Sequence, residues 1–263
     1  MKKVFRDKNN SEYWEDRWIN SGVDEDEFKN EQIYPIVYSN KILKGGEKIL
    51  EAGCGAGRVY FHYKNKGFDI KGIEYSINAV SNILKKDSSS RVIKGNICQL
   101  PYSDKEFDVI LSFGLYHNIE NEVDLKKAFS ETNRVLKNGG KLVASVRFDS
   151  FENNIIEKIV RKRTKSKDYD KFHRWHFSLK DMENFLDDKM FIQDIYYTRN
   201  VSFLFKYDLF RKKELKSVNF QESNARSNGF ELNLLGKLID KTLHSIFPTL
   251  FSNLLVIIAE KKK

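Results

Sequence analysis

The chain has 263 residues, 40% hydrophobic and 13% aromatic, enough for one large α/β domain with a cover or for two small domains. Its 46 basic and 37 acidic side chains leave a formal net charge of +9, which favours an anionic partner (an anionic substrate, a membrane surface or nucleic acid) or else marks a solvated lysine-rich surface. Two cysteines, a charged N-terminus and the lack of any apolar run of about 18 residues argue against a disulfide framework, a secretory leader and a membrane span, so a soluble cytoplasmic protein is expected.

Residues 1–10 are polar and are expected to fray. Ser11 can cap a helix carrying Trp14 and Trp18, four apart on one face. That pair either staples the helix to the core or forms a flap over a ligand. Residues 23–30 are acidic and read as a loop. Apolar positions at 33, 36, 37, 42 and 43 predict a helix over 32–43, with Pro35 near its start and Gly45-Gly46 at its end.

The chain is organised around the next stretch, Lys48-Ile49-Leu50-Glu51-Ala52-Gly53-Cys54-Gly55-Ala56-Gly57-Arg58. An apolar strand ends at Glu51, three alternating glycines follow, and a helix begins near Arg58. Bare glycines let the backbone turn tightly and offer its N–H groups to a ligand. A dinucleotide fingerprint would need its third glycine where Arg58 stands, and a phosphate loop would need Gly-Lys-Ser/Thr. The second strand, over 69–74, ends in Glu74, where doubly wound sheets place a carboxylate that accepts from ribose hydroxyls. Tyr75 beside it either lies on an adenine or packs inward.

Glu51-x-Gly-x-Gly-x-Gly resembles motif I of the class I S-adenosylmethionine-dependent methyltransferases, and the resemblance runs to about residue 147. It implies a Rossmann-like α/β fold: a seven-stranded, mostly parallel sheet with helices on both faces and a helical cover or lid inserted before the last strand. It implies S-adenosylmethionine as cofactor, held by Glu51, Gly53, Cys54, Gly55, Gly57, Glu74 and Tyr75. The W-x-x-x-W segment is similar to the thiopurine-methyltransferase type, where such tryptophans cover the cofactor, which would give Trp14 and Trp18 that role. Residues 95–102 resemble the family's Gly-Asp-x-x-x-Leu-Pro-Phe segment. Asn96 replaces the aspartate there and would accept from the adenine amino group without charge, with the Ile97 N–H on a ring nitrogen. Residues 107–117 resemble Phe-Asp-x-Val-x-Ser…Leu-x-His, which implies that the backbone of Ser112, Phe113 and Gly114 meets the methionine moiety. No Asn-Pro-Pro-Tyr follows this strand, and no Pro-Cys stands at 97–98, which disfavours DNA adenine and RNA cytosine targets. Residues 134–140 resemble a structural turn of the family, with helix 122–136 stopped by Asn138-Gly139-Gly140 and a strand over 141–146.

Past residue 151 the resemblance thins. A short helix over 155–160 leads into a basic run at 161–167, read as a solvated loop or as a seat for an acceptor phosphate or carboxylate. His173, Arg174, Trp175 and His176 cluster before Ser178, which caps a helix over 179–187, and a strand is expected over 191–197. Leu234, Leu235, Leu238, Ile239, Leu243, Ile246 and Phe247 repeat at helical spacing up to Pro248. That helix is read as a substrate lid, as packing on the sheet, or as an amphipathic segment on a membrane surface. The expected division is a cap over 1–44, a donor-binding core over 45–200, an insertion over 201–250 and the last strand with its tail over 251–263, all in one structural domain.

His117 leaves the fourth core strand on the cofactor side and is the leading general-base candidate, followed by His176; His173, Arg174 and Trp175 are placed at the acceptor, and His62 is structural. No spacing suggests a metal site. The expected function is methyl transfer to an oxygen or nitrogen of a small polar or anionic metabolite, a sugar or nucleotide-sugar among the candidates. The alternatives are a nucleic-acid methyltransferase, a membrane-associated lipid or quinone methyltransferase, and a non-catalytic donor-binding regulator.

Overall fold

A computed structural model of the chain describes residues 1–6, 10–20, 31–163, 170–216 and 230–263. The acidic loop over 23–30, residues 164–167 of the basic run and the Ser11 side chain lie outside the described residues. Two compact units emerge: Met1–Arg147 with Asp168–Tyr196 and Val256–Lys263, and Phe148–Lys167 with Tyr197–Leu255.

In chain order the described elements are β1 (Lys2–Arg6), α1 (Asn10–Asn20), α2 (Tyr34–Ser39), β2 (Lys48–Ala52), α3 (Arg58–Asn65), β3 (Asp69–Glu74), α4 (Ile77–Lys86), β4 (Val92–Lys94), β5 (Phe107–Phe113), α5 (Glu122–Val135), β6 (Leu136–Arg147), α6 (Phe151–Arg163), β7 (Lys171–His176), α7 (Leu179–Leu186), β8 (Met190–Thr198), α8 (Leu234–Ile246) and β9 (Leu254–Lys261). Seven strands form one sheet in the order β4-β3-β2-β5-β6-β9-β8. β2 pairs parallel with β3 and β5, β3 with β4, and β5 with β6. In β2 the adjacent Ile49 and Leu50 are both fully buried, so the strand is covered on both faces, as parallel sheets require. From β2 the chain steps outward to β3 and β4, then crosses back to β5 on the other side. This reversal opens a crevice at the carboxyl ends of β2 and β5, where open α/β sheets bind ligands.

The structure corrects several expectations. Residues 2–6 do not fray: Lys-Lys-Val-Phe-Arg pairs antiparallel with β7, Lys2 opposite His176 and Val4 opposite Arg174. The cluster expected as a lead-in to a helix is therefore a strand, and only then does Ser178 cap α7, its Oγ accepting from Asp181 N–H at 3.2 Å while Asp181 accepts from Ser178 N–H at 2.8 Å. The helix expected over 32–43 shortens to α2, with Pro35 in its first turn. Asn138-Gly139-Gly140 does not end a helix. β6 already begins at Leu136, and the pairing jumps from Phe107–Leu136 to Val109–Lys141, leaving the glycines in an irregular bulge with Gly139 at φ +75°.

Among the described residues the second unit carries α6, three short 3₁₀ turns and α8. Glu152 is fully buried, pairs with Arg199 at 3.2 Å and accepts from Phe203 N–H at 2.9 Å; Arg199 also pairs with Asp240. Leu204, Phe205, Leu215 and Leu232 make a small separate core. α8 is capped by Asn233, whose Oδ1 accepts from Gly236 N–H at 2.9 Å.

Candidate functional site

The site grows from the ends of β2 and β3. Gly53, Gly55 and Gly57 all hold positive φ (+74°, +53° and +78°), a region that a Cβ disfavours. Gly53 N–H donates to Ile73 O at 2.8 Å, which ties the loop to β3. The Glu74 carboxylate bridges the two strand ends: Oε2 accepts from Gly55 N–H at 2.9 Å, and Oε1 accepts from Tyr75 and Ser76 N–H at 2.8 and 3.0 Å. Tyr75 is exposed, so the inward-packing reading is corrected. Glu51 is buried, and its Oε2 has no hydrogen-bond partner among the described residues. Burial pushes its carboxyl up to about 8, against the pull of the Arg58 charge and the Tyr60 backbone N–H.

Helix α1 covers this loop. The Trp14 and Trp18 rings stack 5.7 Å apart, with the Arg17 guanidinium over both at 5.0 and 5.3 Å. A Cβ on Gly55 would lie 2.9 Å from the Trp18 ring, so the bare backbone there is what lets the indole approach. The helix is anchored to α4: Glu15 Oε2 accepts from Ser76 Oγ at 2.9 Å and Asn78 Nδ2 at 2.7 Å, and Asn82 Nδ2 donates to Trp18 O at 2.9 Å.

The loop after β4 brings Asn96 and Ile97 to the same sheet end. Asn96 Oδ1 accepts from Cys98 N–H at 2.9 Å, so the carbonyl expected to face an adenine is engaged within its own loop. Cys98 Sγ donates to Asp124 O at 3.2 Å, and Cys54 is a buried thiol that burial holds well above its ordinary value; both are free cysteines. Ser112 is fully buried at the end of β5, and Gly114, at φ +83°, donates to Ser145 O at 3.2 Å.

His117 follows in a clamped turn, where Asn118 Nδ2 donates to Gly114 O at 2.6 Å and Asn10 Nδ2 to Asn118 O at 2.5 Å. The imidazole is buried, and its Nδ1 accepts from Arg147 N–H at 3.3 Å. Burial holds its pKa well below the usual value, helped by the positive charges of Arg147 and Arg174 and by His176 and His173. The ring is therefore neutral near pH 7, and with Nδ1 accepting, the proton resides on Nε2. Arg147 O in turn accepts from Phe177 N–H at 2.8 Å, which brings the end of β7 to the same place. His176 is fully buried there, and His173 meets Tyr13 edge-on at 5.5 Å. Trp175, expected at the acceptor, is buried and donates its indole N–H to Ile119 O at 2.9 Å, so it packs β7 against the His117 turn. His62 is buried edge-on to Tyr63 at 5.0 Å.

Residues 50–144, which span β2 to β6, match a methyltransferase domain family. Over that stretch the chain carries a methyltransferase domain. An uncharacterized protein of Methanocaldococcus jannaschii, MJ1123, is 33% identical over 168 residues, 62% of this chain and 70% of that protein. A demethylmenaquinone methyltransferase of Renibacterium salmoninarum is 32% identical over 101 residues, 38% of this chain and 41% of that protein. The matched stretch covers 44%, 52% and 41% of three of the curated relatives, about half their length or less. A Methanosarcina mazei structure described as a SAM-dependent methyltransferase shares the fold, with a TM-score of 0.57 at 17% identity over 88% of this chain and 98% of that one.

The methyl donor of this family is S-adenosylmethionine, and the residues present fit it. The donor carries an ammonium and two ribose hydroxyls, all hydrogen-bond donors. The site supplies two carboxylates, one of them the buried Glu51 oxygen with no partner among the described residues, and a cradle that a Cβ would fill. The sequence marked the glycine loop, Glu74 and the two tryptophans, which the structure brings together. It missed Glu15, Leu115 and Arg147. Leu115 stands 3.1 Å from where a Gly53 Cβ would be, a close approach that no local pattern announces. Glu15 had one faint signal, its place with Asp16 as one of two acids between the tryptophans of the capping helix.

Proposed function

We propose that this chain transfers the methyl group of S-adenosylmethionine to an oxygen or nitrogen of a small polar or anionic acceptor. The observation that carries this reading is the Glu74 carboxylate held on Gly55 N–H across two strand ends, with the Trp18 ring against the same glycine. S-adenosylmethionine, when bound, supplies a methyl group already activated by its sulfonium. The chain's own task is binding, orientation and exclusion of water. Glu74 would accept from the ribose hydroxyls and Glu51 from the ammonium, while Ile97 and the backbone of residues 112–114 flank them. The tryptophan pair, similar to that of thiopurine methyltransferases, would cover the donor and keep water out. His117, neutral with Nδ1 engaged, would present its Nε2 proton to the acceptor and orient the acceptor's lone pair; it becomes a base only by giving up the Arg147 N–H. His176, His173 and Arg174 complete a basic surround suited to a polar or anionic acceptor.

Calorimetry with S-adenosylhomocysteine tests the donor site; heat with a nicotinamide coenzyme and none with the demethylated donor would overturn the reading. Tritium from labelled donor should pass into a pool of small polar metabolites and not into bulk RNA. The relatives named demethylmenaquinone methyltransferase support a second reading with a quinone acceptor, which demethylmenaquinone in the same assay separates from the first.

A further inference from the structure

Helix α8 of the second unit is apolar on two sides. Its inner side is Gly236, buried, with Ile239 and Leu243 half-buried, and a Cβ on Gly236 would strike Phe210 O at 2.9 Å. At 100° per residue Leu234 and Leu238 point the opposite way, and they are 89% and 65% exposed. Leu235 and Ile246 border this outer face and are exposed, and the polar Thr242 and Ser245 share its second half, so its apolar part is centred on the first two turns. Leu209, also exposed, joins its N-terminal end, where Asn233 Nδ2 donates to Leu209 O at 2.6 Å. A soluble helix normally turns a polar face outward, so an apolar outer face calls for something to cover it.

Charge identifies the cover. The second unit holds fifteen basic and eight acidic side chains, a net +7 of the chain's +9. Lys241 lies on the outer face beside Leu234 and Leu238, and Lys237 stands at its margin. Beside Leu234 opens a groove of about 550 Å³ lined by Lys212, Lys213 and Lys237 above Leu215 and Leu232. Glu214 also lines it, and Glu231 pairs with Lys212 and with Lys237, the latter at 3.2 Å, so the groove is basic but not uniformly so. A second copy of the chain would bring a second +7 against the first, which disfavours self-association through this face. A surface that offers hydrocarbon beneath fixed negative charge complements both features.

We infer that the outer face of α8 docks onto an anionic phospholipid bilayer, with the leucines in the headgroup–acyl boundary and the lysines among the phosphates. The proposal places the protein on a membrane surface without crossing it; no helix among the described residues is long and apolar enough to span one. It does not depend on the methyl-transfer reading, because it concerns the second unit alone.

The test is co-sedimentation of the full chain with vesicles of phosphatidylcholine alone and of phosphatidylcholine with about 30% phosphatidylglycerol. Binding should be at least about tenfold tighter to the anionic vesicles and should weaken as salt rises from about 0.1 M. Leu234→Glu with Leu238→Glu should cut it by about tenfold or more, and Lys237→Glu with Lys241→Glu by about fivefold per charge. These side chains are exposed, so thermal melting and S-adenosylhomocysteine affinity should match the parent; Leu234→Gln with Leu238→Gln serves as a second pair should the glutamates disturb folding. Equal affinity for the two vesicle types, no binding to either, or a sedimentation dimer that Leu234→Glu dissolves would overturn the proposal, the last by assigning the face to a second copy.

Discussion

Gly55 is the position where backbone conformation and capping helix meet. Its φ of +53° would cost an alanine roughly 1–2 kcal/mol, and the new methyl would also meet Trp18 at 2.9 Å. Gly55→Ala should therefore weaken donor binding by about tenfold or more, a figure that the strain alone nearly reaches. Trp18→Ala in that background should relieve the collision and leave the strain, and a double-mutant cycle by calorimetry separates the two. Glu51 carries a different prediction. Its carboxyl, pushed up to about 8, is mostly protonated at pH 7, and a cationic donor beside it would favour the charged form. Donor binding near pH 7 should release close to one proton, read from calorimetry in buffers of different ionisation heat, and Glu51→Gln should abolish the release. The same shift bears on stability. The folded value is raised, so this group's contribution is complete below its ordinary value of 4.5 and is lost as pH rises through about 8. Denaturant midpoints of the ligand-free chain should fall as pH rises from about 4.5 to about 8 and level off above that, and the fall should be smaller for Glu51→Gln.

At the scale of elements, Arg134 on α5 holds the loop between β4 and β5 in place. It donates to Leu100 O at 2.9 Å and Tyr102 O at 2.8 Å, and pairs with Glu131 and Asp104, both at 2.7 Å. The ion pairs are partly exposed and screened, so the backbone bonds matter most. Arg134→Met should cost about 1–3 kcal/mol in urea unfolding and weaken donor binding, because residues 96 and 97 lie on the loop it steadies. How much of this was legible follows from the range of the forces. The glycine loop, the acids ending β2 and β3 and the Ser178 cap each depend on residues within a few positions, and all were readable. β1 was not: Lys-Lys-Val-Phe-Arg has one buried side chain, Val4, and its partner strand lies about 170 residues away in sequence. Arg134 was recognised as part of a structural turn, but its reach back to Leu100 and Tyr102 depends on α5 packing beside that loop. Asn138-Gly139-Gly140 carried a helix-stop signal, yet β6 began first, since pairing with β5 outweighs local propensity.

For the molecule as a whole, the sheet depends on its last strand. β9 lies between β6 and β8, and Leu255, Val256, Ile257 and Ala259 are fully buried. Ile257→Asp would place a carboxylate in that interior and should cost more than about 4 kcal/mol, enough to abolish cooperative unfolding by urea and calorimetry. The strand order also has a consequence in time. A ribosome releases β2 to β6 long before residue 254, so the nascent sheet must wait with β6 missing a neighbour while more than a hundred further residues emerge. During that interval an unpaired hydrophobic edge is open to chaperones, or to a neighbouring chain on the same message.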